Sequence, residues 1–307
     1  MKKRTLVLID GHALLFRAYY GIPYLTSPDG RMVNAVYGFT STILSVIAEL
    51  SPTHIAVSFD MEGPTFRKEE FEAYKANRSV PPDDLIPQFE LAHEMTRALN
   101  VPIFEKKGFE ADDVIGTLAE QAKKKKYVKT MIVTGDRDSF QLIEDEKVLV
   151  YVPGRRSKPS KVYGEEEVVD SMGIRADQMV DLKGLAGDAS DNIPGIKGIG
   201  PKTAVSLITK FGSIEEIYEA FDRGDVDGEI GKAMLVKLKD GREMALKSKK
   251  LATIVRDVPV KLKLSDCRVH GYDKEKTFEL LDELGFKSLV TRLPKDEFEM
   301  SVQEALF

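Results

Sequence analysis

The chain has 307 residues, of which 50 are acidic and 45 are basic, so its formal net charge is −5. This balance excludes a protein that binds nucleic acid through an overall positive charge, so any site for a polyanion has to be local. The single cysteine, Cys267, excludes an internal disulfide. The first apolar run ends after five residues at Asp10, which excludes a signal peptide or a membrane span there. We expect a soluble cytoplasmic protein with about two domains.

Short runs rich in β-branched residues recur between helical stretches. In chain order they read "TLVLID", "HIAVSFD", "VPIFE", "KTMIVTGD" and "VLVYVP". This alternation predicts an α/β core with a mostly parallel sheet that is buried on both faces. Three of the runs lead directly into acids, namely Asp10, Asp60 and Asp136. The carboxyl ends of strands are where open α/β sheets form their sites.

Two further regions depart from this alternation. Residues 62–84 carry charges, aromatics and a Pro-Pro break without an apolar stripe, which predicts an excursion from the sheet, such as an arch or lid. From about residue 175 the strand signal fades, and helices separated by Gly-rich turns take over. We predict an α/β core over residues 1–174, a helical subdomain over 175–265, and a C-terminal segment with a linker or tail over 266–307.

The stretch "GFEADDVIGTLAEQAKKKK", residues 108–126, begins with Glu110, Asp112 and Asp113. One interpretation is helix chemistry, because acids in a first turn cap free N–H groups and complement the helix dipole. The apolar residues that follow recur at helical spacing and predict that helix. Taken alone, the stretch fits a helix cap as well as it fits a metal site.

Acids also gather elsewhere at predicted strand ends and in short polar turns. The full set is Asp10, Asp60, Glu110, Asp112, Asp113, Asp136, Asp138, Asp188 and Asp191. Like charges gathered in this way repel each other unless cations neutralise them. Oxygen ligands alone favour Mg²⁺ or Mn²⁺, whereas the four histidines are too scattered for a zinc site. Two such ions would stabilise both oxygens of an in-line phosphoryl displacement, so the set predicts phosphodiester hydrolysis.

Six segments resemble the motif series of the bacterial 5′ nuclease family, especially the N-terminal 5′-3′ exonuclease domains of DNA polymerase I. They are "LIDGHALLFRAYYG", "SFDMEGPTFR", "EAYKANR", "FEADDVIGTLA", "VTGDRDSFQL" and "LKGLAGDASDNIPGIKGIGPKTA". They occur in the family's order and spacing over about residues 4–292. The resemblance implies a PIN-like, Rossmann-like nuclease core with a helical arch and a C-terminal helix-hairpin-helix (H3TH) subdomain. It also implies that all nine acids belong to a site for two Mg²⁺ (or Mn²⁺) ions.

Residues 195–204, "GIKGIGPKTA", have the Gly-apolar-Gly turn of a helix-hairpin-helix element. The candidate DNA contacts are Gly198, Ile199, Gly200, Lys202 and Thr203. Glycines let the backbone approach a phosphate closely, and the next helix start offers free N–H groups. The sequence fails the nucleotide-binding P-loop pattern, which needs Gly and Lys adjacent, while a plain turn stays an alternative. The resemblance implies that this element grips duplex DNA, with a K⁺ ion bound in many relatives.

The segment "FEAYKANR" places Tyr74, Lys75 and Arg78 on one face if it is helical. Basic residues of this kind are most often only solvated. The resemblance implies instead that these residues handle the 5′ strand near the scissile phosphate, and that Arg17 contacts a phosphate. Arg17, Lys75 and Arg78 are then the catalytic candidates, because cations beside the reacting phosphate stabilise transition-state charge. Tyr74 is expected to stack on an unpaired base.

The function expected from the residues and the resemblance together is a structure-specific 5′ nuclease. It would remove 5′ flaps, or nucleotides from 5′ ends, of DNA and of RNA primers during replication and repair. A DNA-binding module that does not cut and a nucleotide-binding phosphatase are the alternatives. The resemblance continues through "KKLATIVRDVPVKL" and "YDKEKTFELLDELGFKSLVTRL". It implies a monomeric N-terminal domain of a longer polymerase that acts with a ligase at the nucleoid, with a stand-alone nuclease as the alternative.

Overall fold

The structure is a computed structural model and describes residues 4–154, 158–226 and 230–294. Its described strands form one six-stranded sheet in the order β3-β2-β1-β4-β5-β6. They are β1 (Arg4–Asp10), β2 (His54–Ser58), β3 (Ile103–Phe104), β4 (Val128–Val133), β5 (Val148–Val152) and β6 (Lys161–Tyr163). All neighbours are parallel except β5 and β6, which confirms the predicted, mostly parallel sheet.

Helices cover both faces of this sheet and form most of the second half of the chain. They are α1 (Gly11–Gly21), α2 (Asn34–Leu50), α3 (Phe66–Glu70), α4 (Ile86–Ala98), α5 (Ala111–Lys123), α6 (Glu165–Met172), α7 (Met179–Ala186), α8 (Pro201–Phe211), α9 (Ile214–Arg223), α10 (Lys232–Ala252), α11 (Lys274–Glu283) and α12 (Lys287–Val290). Within the described ranges no helix is both long and apolar enough to cross a membrane.

The central strand β1 shows why both faces of the sheet are buried. Leu6 and Leu8 pack into one apolar cluster with residues of α5, whereas Val7 and Ile9 pack into a second cluster with residues of α1 and α2. Successive side chains of a strand point to opposite faces, so a continuous apolar run fills two cores at once. The parallel register then brings the carboxyl ends of β1, β2 and β4 to one edge of the sheet.

The chain leaves β1 through a tight strand-to-helix junction. Asp10 ends the strand and also caps α1, because its carboxylate accepts a hydrogen bond from the backbone N–H of Ala13 at 3.0 Å. A Cβ on Gly11 would lie 2.2 Å from the ring of Phe59, so only glycine allows this close approach. The junction fixes the position of the Asp10 side chain at the edge of the sheet.

Residues 62–84 differ from the helical arch predicted for them. Their only described helix is α3, which has five residues, and turns occupy most of the rest. The segment is not a free excursion, because the side chains of Arg67 and Tyr74 are buried, with 1% and 4% of each residue exposed. Arg67 donates to Asp113 and Tyr74 donates to Glu110. These contacts hold the segment against the acids at the sheet edge.

The first part of the C-terminal segment predicted over residues 266–307 is helical and packs on the rest of the fold. Helices α11 and α12 pack on α4 and α2, and they bury Leu281, Phe286 and Leu289 in the second apolar cluster. Arg292 adds hydrogen bonds to the hydroxyl groups of Ser41 and Ser45, both at 2.7 Å. Residues 266–294 are therefore part of the folded core, and residues 295–307 lie outside the described residues.

Candidate metal centre and nucleic-acid interface

A first acidic group forms where β1 and β2 end and α5 begins. Asp10 accepts hydrogen bonds from the Ala13 N–H and from the hydroxyl of Thr134, each at 3.0 Å. Asp60 accepts a hydrogen bond from the N–H of Ala111 at 2.7 Å, which ties the end of β2 to the start of α5. Burial raises the pKa of Asp10 to about 7, and the nearby carboxylates of Asp60 and Asp136 add to the shift.

The start of α5 places Glu110, Asp112 and Asp113 so that one carboxylate oxygen of each lies within 4.8 Å of the others. Oδ1 of Asp112 is buried and has no hydrogen-bond partner among the described residues. Burial, with the charges of Glu110 and Asp113, raises the pKa of Asp112 well above its usual value. A buried carboxylate oxygen without a donor is a position that a cation suits, so the residues present fit a metal ion.

Asp113 differs from its two neighbours in its partners, and its predicted place in the metal site stays a prediction. Its carboxylate forms a bidentate ion pair with Arg67, with both N–O distances 2.7 Å. It also accepts hydrogen bonds from the backbone N–H groups of Val255 and Glu110. These four donors engage both oxygens of Asp113, so of the three carboxylates it is the one most fully neutralised by the protein itself.

A second acidic group combines the turn after β4 with the loop between α7 and α8. Asp138, Asp188 and Asp191 each place one carboxylate oxygen within 4.8 Å of the others. Asp136 stands beside them and accepts a hydrogen bond from the N–H of Asp138 at 2.9 Å. Burial and the charge of Asp136 raise the pKa of Asp138 to about 7. The four carboxylates of this second group therefore carry more negative charge than the neighbouring cations of the protein neutralise.

Three side chains of the 62–84 segment lie between the two groups. The ammonium of Lys75 is 2.7 Å from Glu110, and the guanidinium of Arg78 is 2.5 Å from Asp191. Burial alone would lower the pKa of Lys75, but the Glu110 carboxylate raises it overall. The Tyr74 hydroxyl donates to Glu110 at 3.0 Å and lies 3.4 Å from Asp191. The predicted base-stacking role of Tyr74 does not fit this arrangement, because its ring is buried.

A cleft of about 600 Å³ opens beside the second acidic group. Its walls include Arg17, Asp136, Asp138, Asp188 and Pro201, the first residue of α8. The guanidinium of Arg17 donates to the carbonyl groups of Pro153 and Gly154. The cleft thus connects the acids with Arg17 and with the start of α8.

Sequence reasoning missed two cations of this centre, Arg67 and Lys183. Lys183, on the last turn of α7, donates to Asp138 and Asp188 and joins the two chain segments that form the second group. In the sequence, this role of Lys183 is indicated only by its position five residues before Asp188. Arg67 stands in the charged run "FRKEE", where nothing distinguishes a buried arginine from a solvated one.

The predicted hairpin lies between α7 and α8, with Gly198 in the left-handed region at φ +82°. Helix α8 has no side-chain cap among the described residues, so its first N–H groups, near Lys202 and Thr203, lack a side-chain acceptor and suit an anion. Ile199 is buried, so its side chain serves packing and only its backbone is available to a ligand. Lys237 donates to the carbonyl of Gly198 at 2.9 Å and keeps a positive charge beside the turn.

Gly200 allows a clean test of backbone contact with DNA. Its backbone is extended, and a Cβ placed there would meet no described atom within 4 Å. We expect Gly200→Val to cost at most about 1 kcal/mol of stability as a changed helix cap. It should weaken binding to duplex DNA about tenfold, because the side chain would stand between the backbone and a phosphate. Fluorescence anisotropy in chelator measures that affinity.

Gly271→Val is the matched control, because Gly271 has equal room and lies in the C-terminal segment. It should bind duplex DNA like the unchanged protein. If Gly200→Val also binds with unchanged affinity, the hairpin is a plain turn.

Two family models match the chain in succession. The N-terminal, resolvase-like domain of the 5′-3′ exonucleases matches residues 5–173, and their C-terminal SAM-fold domain matches residues 174–275. The second acidic group therefore takes Asp138 from the first domain and Asp188 and Asp191 from the second. A relative, DNA polymerase I of Caldicellulosiruptor bescii, is 42% identical over 293 residues, which are 95% of this chain and 34% of that protein. The chain spans only a third of the length of this relative.

Solved structures share the fold. The T5 5′-exonuclease with bound divalent metal ions (zinc) superposes with a TM-score of 0.67 at 23% identity, over 81% of this chain and 89% of that one. The catalytic core of Rad2 in complex with DNA substrate has a TM-score of 0.60 at 16% identity, over 95% of this chain and 93% of that one. With its two domains matched in order over residues 5–275, the chain belongs to the 5′-3′ exonuclease family.

Proposed function

We propose that this chain is a Mg²⁺-dependent 5′-3′ exonuclease and flap endonuclease that hydrolyses phosphodiester bonds at 5′ ends and 5′ flaps of DNA and of RNA primers. The observation that carries the proposal is the pair of acidic groups at the carboxyl edge of the sheet, of which the first contains the unpartnered buried oxygen of Asp112. A module that only binds DNA gains nothing from this charge, which repels phosphates.

Two metal ions fit the acids as two neighbouring sets. We assign Asp10, Asp60, Glu110 and Asp112 to the first ion, and Asp136, Asp138, Asp188 and Asp191 to the second. All of these ligands are carboxylates, which suit Mg²⁺ or Mn²⁺. When bound, such ions activate water and stabilise the attacking and leaving oxygens of a phosphoryl transfer.

The cations of the protein act on the phosphate of the substrate. Lys75 and Arg78 neutralise Glu110 and Asp191 in this structure. Arg78 also lies 3.5 Å from the carbonyl of Ser190, which lines the cleft in which a scissile phosphate would lie. The charges of Lys75 and Arg78 then stabilise the negative charge that develops in the transition state. Arg17 at the cleft wall holds a neighbouring phosphate, and Lys183 holds Asp138 and Asp188 together.

The hairpin before α8 supplies the grip on double-stranded DNA. The turn at Gly198 and Gly200 and the N–H groups at the start of α8, which have no side-chain cap, would bind a backbone phosphate without reading sequence. A K⁺ ion at the hairpin carbonyls is part of this proposal. The cleft that starts at Pro201 and ends at the acids then connects duplex binding with the cutting site.

The proposed biological role follows from the relatives, which are DNA polymerases I about three times as long as this chain. Polymerase domains in the same chain would displace a strand and so create the 5′ flap, and a ligase would seal the nick that remains. The proposed substrates are therefore nicked or branched DNA and RNA-DNA primer junctions. The chain would act as a monomer in the cytoplasm, at the nucleoid.

A labelled duplex with a 5′ flap tests the proposed activity directly. Incubation with Mg²⁺ should release the flap, and incubation with chelator should leave the duplex bound but uncut, because the acids cannot activate water without a cation. Product formed equally in chelator would overturn the metal-dependent mechanism. Tight binding without any product in Mg²⁺ or Mn²⁺ would favour a DNA-binding module instead.

A further inference from the structure

Two asparagines join the segment that carries the proposed catalytic cations to the loop that carries two of the acids. We call residues 73–78 the arch turn and residues 187–195 the acidic loop. The side-chain amide of Asn192 in the acidic loop donates to the carbonyl of Ala73 at 2.7 Å. The side-chain amide of Asn77 in the arch turn donates to the carbonyl of Ala189, also at 2.7 Å. Each segment thus holds the backbone of the other.

The backbones between these two bonds are also fixed to each other. The N–H of Lys75 donates to the carbonyl of Asp191 at 2.9 Å. Lys75 and Asn192 both adopt left-handed conformations, with φ of +52° and +56°. Residues other than glycine adopt this region at an energetic cost and keep it where the surrounding structure holds them there. The interlocked contacts between the two segments supply that constraint.

The interlocked segments belong to different domains of the family. The arch turn lies within the domain matched over residues 5–173, and the acidic loop lies within the domain matched over 174–275. The arch turn carries Lys75 and Arg78, and the acidic loop carries Asp188 and Asp191. Contact between these segments therefore decides where the cations of one domain stand relative to the acids of the other.

The two kinds of contact in this interface respond differently to metal ions. The ion pairs of Lys75 with Glu110 and of Arg78 with Asp191 use carboxylates that a metal ion would also bind. Metal binding therefore weakens these ion pairs. The amides of Asn77 and Asn192 bind backbone carbonyl groups, which do not belong to the acidic groups, so their hydrogen bonds persist when the metal ions are bound.

We propose that Asn77 and Asn192 are positioning residues that clamp the arch turn onto the acidic loop and keep Lys75 and Arg78 beside the reacting phosphate when metal ions occupy the acids. This inference rests on the proposed function and deepens it. Neither asparagine touches the phosphate or a metal ion in this role. Both act through the backbone of the segments that carry the charged side chains.

The two asparagines can be replaced without disturbing the apolar core. Asn77 and Asn192 are both exposed, so Asn77→Ala and Asn192→Gly remove the amides without opening a cavity. Glycine at 192 keeps the left-handed backbone free of strain. Asn100→Gly is the matched control, because Asn100 is also exposed, has φ +53°, and donates its amide to the carbonyl of Gly271 at 2.7 Å, far from the acids.

The kinetic test uses a 5′-flap duplex under single-turnover conditions in saturating Mg²⁺. Asn77→Ala and Asn192→Gly should each cut about 10- to 100-fold more slowly, since small displacements of catalytic groups cost this much. Their affinity for the duplex in chelator and their melting temperatures should match those of Asn100→Gly. The double variant should be about as slow as the slower single variant, because either loss opens the same clamp.

Rates for both single variants equal to that of Asn100→Gly would overturn the clamp, as would rate losses that follow loss of melting temperature.

Amide hydrogen exchange in chelator, without DNA, gives a readout independent of cutting. Exchange should become faster in residues 73–78 and 187–195 in either clamp variant and should stay unchanged there in Asn100→Gly. Unchanged exchange would also overturn the clamp. If the unchanged protein fails to cut while exchange responds as expected, the proposed function fails and the clamp stands.

Discussion

Asp136→Asn and Asp188→Asn should each lower the single-turnover cleavage rate of a 5′-flap substrate by about 10³-fold or more. Each substitution removes one anionic ligand from the second proposed metal ion, and such an ion supplies several kcal/mol of transition-state stabilisation. Binding of the flap duplex should be unchanged or tighter, because the loss of one negative charge reduces repulsion of the phosphates. Cleavage is measured in Mg²⁺, and affinity is measured in chelator.

The two substitutions are chosen because the remaining oxygen can keep the local structure. Oδ1 of Asp136 accepts a hydrogen bond from the N–H of Asp138, and Oδ1 of Asp188 accepts from the N–H of Ser190 at 2.8 Å. An asparagine side chain offers the same acceptor. Both turns are therefore kept, so a loss of cleavage is not explained by a lost turn. Asp188→Asn also replaces the oxygen that accepts from Lys183, so Asp136→Asn is the purer change of charge.

Asp282→Asn is the control for the change in net charge, because Asp282 is exposed on α11 in the C-terminal segment. It should cut at the rate of the unchanged protein. If Asp136→Asn or Asp188→Asn cuts within about tenfold of that rate, the assignment of that residue as a metal ligand is wrong, since the ligand's contribution would be only about 1.4 kcal/mol.

The sheet and the edge at which the site lies could be predicted from local sequence. The runs that end at Asp10 and Asp136 are apolar and β-branched, and a parallel arrangement makes their carboxyl ends meet. The edge strand β6 was not predicted, because it has only three residues and two of them are exposed. A strand of this kind carries too little apolar pattern to be recognised.

The contacts made by the individual acids could not be predicted in the same way. Asp112 and Asp113 are neighbours, and one helical residue turns the side chain by about 100°. They therefore face different directions, but which of them faces the metal site depends on Arg67, which is 46 residues from Asp113 in sequence. The buried state of Tyr74 has the same origin, since its partners Glu110 and Asp191 come from two other parts of the chain.

Asp112→Asn and Asp113→Asn should therefore have opposite effects, although the residues are adjacent. Asp113→Asn leaves the charge of buried Arg67 without its main partner, and breaking a buried ion pair on one side costs about 3 to 5 kcal/mol. We expect the free energy of unfolding to fall by that amount. Urea unfolding followed by circular dichroism, in chelator, measures the change.

Asp112→Asn should leave the protein as stable as before, or make it more stable, at neutral pH without metal. The pKa of Asp112 is raised in the folded state, so above its unfolded pKa the ionised carboxylate favours unfolding, and a neutral amide removes that effect. Cleavage in Mg²⁺ should nevertheless fall by about 10³-fold, because the unpartnered oxygen is assigned to a metal ion. Asp113→Asn, measured at a temperature where it is folded, should retain more cleavage than Asp112→Asn. If Asp113→Asn is as stable as the unchanged protein but does not cut, Asp113 belongs to the metal site. The buried charge of Arg67 then does not need Asp113 as its partner.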